Sequence, residues 1–203
     1  ETVLRGAMAW MVGQEGRGVA AILDMVAMTR FDCMIGSSSG MRQAVAQVTH
    51  HCSQRSAFGK RLVDQPLMQN VLSDLIIEQE AATAFSMRLA RALDQSEENA
   101  HEKHLVRMGT AIGKYWICKR APGHAYEAME CIGGSGVMED CIMPRLFRES
   151  PINTIWEGSG NVQCLDMLRA MKRNPESLEA FMEEVHLSQG KHLLIDKALS
   201  ELK

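Results

Sequence analysis

A chain of 203 residues with 46% hydrophobic and 23% charged residues carries enough apolar mass for a core, which excludes intrinsic disorder. Its net charge of −3 excludes a basic nucleic-acid face, and its six cysteines, with no C-x-x-C among them, exclude a zinc or disulfide framework and suit reduced thiols in the cytoplasm. The 15 methionines against 5% aromatics read as an all-α core with adaptable packing.

Residues 1–12 (ETVLRGAMAWMV) look like a strand remnant, and a turn with three glycines follows at 13–18. With no initiator Met and no signal peptide, the expectation is a piece of a longer polypeptide. The apolar run VAAILDMVAM is broken by Asp24, so it is not a membrane span. From Val19 the spacing of Ile22, Leu23, Val26, Met34, Met41, Val45 and Val48 predicts one long helix over 18–54. The small residues Gly36 to Gly40 lie inside it and would let a neighbouring helix or a ligand approach closely.

A loop containing Gly59 leads to a second helix over 66–94, with Asp64 or Gln65 as its cap and Pro66 in its first turn. Its stripe is Met68, Val71, Leu72, Leu75, Phe85, Leu89 and Leu93. Ser96-Glu97-Glu98 suits the start of a third helix over 97–132, in which Pro122 predicts a kink. Residues 139–148 allow a short helix, and Ser159 can cap a fourth over 160–172, ended by Asn174-Pro175. Residues 177–203 offer one or two more. Helices of this length with short connections specify an antiparallel up-down four-helix bundle.

Taken one at a time, the chemical signals stay open. Glu183-x-x-His186 is one half of a di-iron motif without its second half, so no metal is expected. His50, His51 and Cys52 are neighbours on a helix and cannot face one another. Arg55, Lys60 and Arg61 around Phe58-Gly59 suit either a diphosphate or a solvated surface, and Gly133-Gly134-Ser135-Gly136 suits a helix C-cap equally well. Glu157, between Ile155-Trp156 and Gly158-Ser159-Gly160, is either a complement to the next helix dipole or a chemical base.

Their order is specific. Arg-x-x-Phe-Gly (55–59), Gly-Gly-x-Gly (133–136), Pro-Arg-Leu-Phe-Arg-Glu (144–149) and Ile-Trp-Glu-Gly-Ser (155–159) together resemble the C-terminal helical domain of the acyl-CoA dehydrogenase family over residues 10–172. The wording Ile-Cys-Lys-Arg, Glu-Ala-Met-Glu and Cys-Leu-Asp-Met-Leu-Arg is most similar to the branch that includes bacterial adaptive-response flavoproteins. The fold this implies is all-α, a four-helix bundle of that C-terminal type. It would comprise the end of a preceding β-domain at 1–15, the bundle at 16–175 and a helical extension at 176–203.

The resemblance implies a flavoprotein oxidoreductase, inactive as this portion alone, in which Glu157 takes the α-proton of an acyl-CoA thioester while a hydride leaves for FAD. It implies FAD contacts by Arg55 and Phe58 across a subunit interface and by the pair Gly133 and Gly134. Ile155, Trp156, Gly158, Ser159, Gly160 and Asn161 surround the flavin and its nucleotide. Arg30 falls beside the pocket. Thr29 stands where some relatives carry the base, and a threonine cannot serve as one. Pro66 stands where the family often has glutamine, which removes a contact there. A homodimer or homotetramer is implied, and Leu89, Met108 and Trp116 are expected to form its uncovered apolar face. The electron acceptor stays open. The alternative implied by the adaptive-response branch is a damage-response flavoprotein whose nucleic-acid contacts lie in regions outside this chain.

Overall fold

The computed structural model describes residues 2–202, apart from the Asp24 side chain; Glu1 and Lys203, the two ends of the expected flanking segments, lie outside the described residues. Among the described residues eight α-helices follow in chain order: α1 Gly18–Gln54, α2 Pro66–Gln95, α3 Ala100–Ile132, α4 Met143–Glu149, α5 Ile152–Ile155, α6 Gly160–Arg173, α7 Pro175–His186 and α8 Leu193–Glu201. A minimal hairpin, β1 Ser56–Ala57 and β2 Lys60–Arg61, links α1 to α2.

The three long helices run up, down and up. One core cluster joins Phe31 and Met34 of α1, Ala82 and Leu89 of α2, and Leu105 and Ile117 of α3. The other joins Val48 and Cys52, Leu72 and Leu75, and Ala128 and Met129. Residue numbers therefore rise together along α1 and α3 and fall along α2. Each large side chain buried in this way contributes about 1.5–3 kcal/mol. Close approach to α3 is made possible by Gly109 and Gly113, one turn apart. A Cβ on Gly109 would lie 2.6 Å from Leu89 Cδ2, and one on Gly113 would strike the Met34 thioether end. The fourth bundle position is shared, since α6 and α7 both pack on α3 and α7 adds Ala180 and Phe181 to the first cluster.

Several expectations need correction. Residues 2–12 form no strand, because a strand needs a neighbour for its N–H and C=O groups and the described residues supply none there. The core stripe of α1 begins at Phe31, and the earlier Val19, Ile22 and Leu23 are exposed. Helix α3 starts at Ala100, capped by the Asn99 side chain, which accepts from the N–H groups of His101 (3.0 Å) and Glu102 (3.4 Å); Ser96 instead donates to Leu93 O in the last turn of α2. Neither Asp64 nor Gln65 caps α2 through its side chain, since Asp64 pairs with Arg61 and Gln65 donates to Ala57 O. Leu89 and Met108, expected to be uncovered, are 1% and 0% exposed, so the chain's own core uses them.

Candidate functional site

The segment 155–160 turns sharply between α5 and α6, and Glu157 is its pivot, with φ 58. Among the described residues, Phe58 (φ 53) is the other non-glycine in the left-handed region, where an L side chain costs about 1–2 kcal/mol. Such strain persists only where the surroundings impose it, and around Glu157 they are visible. Lys114 Nζ of α3 donates to Trp156 O and to Gly158 O, each at 2.8 Å. Arg30 Nε of α1 donates to Glu157 O at 2.8 Å. Gln163 Nε2 of α6 donates to Gly158 O at 3.0 Å and to Glu157 O at 3.3 Å. Three consecutive carbonyls are thus held by side chains from three helices.

Glycine is required at 158. Its φ is 104, and a Cβ there would lie 2.8 Å from Gln163 Nε2 and 2.9 Å from Val162 Cγ1. Behind the turn, the small residues of α1 make room. Asn153 Nδ2 donates to Ser37 Oγ at 3.2 Å, and a Cβ on Gly36 would touch the same amide at 3.4 Å. Asn153 Oδ1 in turn accepts from Trp156 Nε1 at 3.0 Å, orienting the indole.

The electrostatics beneath the turn are those of a partly desolvated cationic floor. Lys114 is 2% exposed, and burial pushes its ammonium below the usual lysine range. Burial also raises the neighbouring thiols, Cys118 to about 11 and Cys33 upward, so they stay protonated beside it. Arg30 is anchored by Asp166, whose carboxylate also accepts from Arg107 at 2.8 and 3.1 Å. Arg30 is therefore committed to the turn and to Asp166, while Thr29 donates to Val26 O within its own helix. Glu157 itself is half-buried, and Ile155, Trp156, Ser159 and Asn161 are exposed around it. Ser159 precedes α6 without making a side-chain cap, contrary to expectation, and among the described residues no side chain accepts from the first-turn N–H groups of that helix.

Arg55, Phe58, Gly133 and Gly134 gather at the other end of the bundle, where α1 and α3 both finish. Arg55 is exposed and ends α1, and the hairpin presents Phe58 at its tip, 98% exposed. Positive φ at both Phe58 and Gly59 gives the tight turn that matches strand twist. Gly133 has φ 74, and a Cβ at Gly133 or Gly134 would meet open space. Arg30 and Arg55 are 25 residues apart on one unbroken helix, about 37 Å at ~1.5 Å per residue. One copy of the chain therefore does not bring the Arg55–Phe58 pair to Glu157.

Reading the sequence missed Lys114, Gln163, Asp166 and Arg107. A signal for Lys114 was present: it falls on the buried spacing Ala111, Lys114, Cys118 of α3, a charge on an apolar stripe. A concavity of about 660 Å³ lies between α2 and α3 beside Leu75, Arg120 and His124, and its lining includes none of the residues that grip the Glu157 turn.

Comparison with known proteins gives a consistent result. Residues 16–172 match the family described as acyl-CoA dehydrogenase, C-terminal domain. AidB of Escherichia coli (strain K12) is 41% identical over 203 residues, covering 100% of this chain and 37% of that protein. Acyl-CoA dehydrogenase family member 11 of Caenorhabditis elegans is 32% identical over 206 residues, covering 100% of this chain and 33% of that protein. The solved structure of Caenorhabditis elegans ACDH-11 in complex with C11-CoA superposes with a TM-score of 0.83 at 30% identity, over 94% of this chain and 32% of that one. The chain spans about a third of the length of the relatives it matches.

Proposed function

Because the chain belongs to the acyl-CoA dehydrogenase family, through its C-terminal domain, we propose that it serves the FAD-dependent α,β-dehydrogenation of an acyl-CoA thioester, with Glu157 as the α-proton base. The observation that carries this reading is the turn itself. A carboxylate-bearing residue is held in a strained conformation by three independent donors, an expense that a mere helix-dipole complement does not require.

A Glu157 carboxylate oxygen takes the proton from the carbon next to the thioester carbonyl and becomes a carboxylic acid. The exposed indole of Trp156 and the Ile155 side chain keep water from that carboxylate once substrate covers them. Gly158 leaves the turn without a side chain where substrate approaches. Bound FAD supplies the hydride acceptor. The residues present fit such a group: an unhindered glycine pair, an exposed arginine and an aromatic ring at one end of the bundle, and an uncapped helix N-terminus at Ser159–Asn161. The distance between these sets favours a shared site, in which Arg55 and Phe58 of one protomer serve the Glu157 of another, and hence a homodimer or homotetramer; six cysteines without a C-x-x-C suit the reducing cytoplasm. The CoA thioester as substrate class is supported by the C11-CoA complex of ACDH-11.

The test is the flavin absorbance of the intact protein mixed anaerobically with a panel of acyl-CoAs. Bleaching by at least one member is expected. No bleaching by any of them rejects the dehydrogenase and favours a damage-response flavoprotein.

A further inference from the structure

We infer that Lys114 is a positioning residue for Glu157, its buried ammonium acting as the clamp that sets the left-handed turn. The inference rests on the reading of Glu157 as base. Lys114 is among the most deeply buried side chains of the molecule and forms no ion pair among the described residues. Its ammonium donates to Trp156 O and Gly158 O, the carbonyls immediately before and after Glu157. A buried ammonium ordinarily costs several kcal/mol and survives by pairing with an acid. Here it is satisfied by two peptide carbonyls that converge on it because the backbone at Glu157 has φ 58.

Turning the Glu157 peptide back to ordinary φ would swing one of those carbonyls away and leave the ammonium unsatisfied, so strain and clamp stabilise each other. Arg30 holds the middle carbonyl and is shared with Asp166, and Gln163, from the helix that follows the turn, donates to the middle carbonyl and to Gly158 O on one side only. Lys114 alone grips both sides of Glu157 from a separate rigid element, α3. It thereby fixes the Cα–Cβ direction of the residue that accepts the proton. A general base misplaced by about 1 Å loses on the order of 10²-fold in rate.

The experiment is Lys114→Met in the intact flavoprotein, since methionine keeps the length and burial and removes the donors. With FAD retained, flavin reduction by the best acyl-CoA should slow by about 10²-fold. Amide hydrogen exchange across residues 156–160 should accelerate by about 10-fold or more while the core of α3 stays protected. The double variant K114M/E157Q should be no slower than E157Q, because a positioning residue has nothing left to position. Lys114→Gln, which keeps amide N–H donors on a shorter side chain, should recover part of the rate and decides the matter if K114M does not fold. Unchanged exchange at 156–160, or losses that multiply in the double variant, would overturn the inference. If no acyl-CoA reduces the wild-type flavin, the dehydrogenase reading fails by itself, and the exchange of 156–160 still decides whether Lys114 sets the turn.

Discussion

Phe58 and Glu157 share the left-handed backbone region, φ 53 and 58, from opposite ends of the same bundle. The two are maintained differently. Glu157 is gripped by Lys114, Arg30 and Gln163, whereas Phe58 sits at a hairpin tip, 98% exposed, with no packing to offset its strain. A strained, solvated aromatic gains nothing for the isolated fold, which is what a contact made with another body requires.

Phe58→Asn should therefore stabilise the protein by about 0.5–1 kcal/mol, since Asn-Gly is a preferred pair for this turn. Thermal melts should show a rise of a few degrees, accompanied by weaker retention of FAD. A loss of stability, or flavin content equal to wild type, contradicts the role given to Phe58.

Gly158→Ala should cost about 2–4 kcal/mol, combining a strained φ with a Cβ at 2.8–2.9 Å from Gln163 and Val162. The Gln163 amide is displaced first, so the turn loosens with the fold. A denaturant midpoint equal to wild type means that the turn has more room than its geometry shows.

Arg88 ties three helices together. Its guanidinium donates to Glu102 of α3 at 2.8 and 3.1 Å and to Glu184 of α7 at 2.8 and 2.9 Å. The hydrogen bonds from Arg88 hold the Glu102 carboxyl below the usual carboxylate range. A depressed folded-state pKa contributes stability that is complete above the unfolded value, about 4.3, and is lost as pH falls through the folded value. Arg88→Met should cost about 1–3 kcal/mol at neutral pH and leave two facing carboxylates unneutralised. Its stability should fall less steeply than wild type below about pH 4.3. Parallel acid profiles for the two proteins would remove Arg88 as the cause.

The long helices were legible because their signal is periodic and local: the stripe from Met68 to Leu93 specifies α2, and Pro66 marks its first turn. Motif order supplied the resemblance, and with it Glu157, Arg55 and Phe58. Caps were harder, because Ser96 and Asn99 are both capping residue types within four positions and only hydrogen-bond geometry selects Asn99. The expected outer face at Leu89 and Met108 failed because apolar spacing locates a stripe without saying which neighbour covers it; here Gly109 lets Leu89 press into α3. The clamp was not legible, since it joins Arg30, Lys114 and Gln163 across three helices, and only packing brings them to one turn.

The most direct measurement is the rate of flavin reduction by acyl-CoA in Glu157→Gln of the intact protein. Glutamine keeps the size of the side chain and leaves the carbonyl grip at 156–158 untouched, because that grip uses the backbone. With Glu157 as the base, FAD stays bound, stability scarcely moves and reduction slows by at least about 10²-fold. A variant that reduces flavin at the wild-type rate while losing about 0.3–1 kcal/mol of stability would instead make Glu157 a complement to the α6 dipole and contradict its role as proton acceptor.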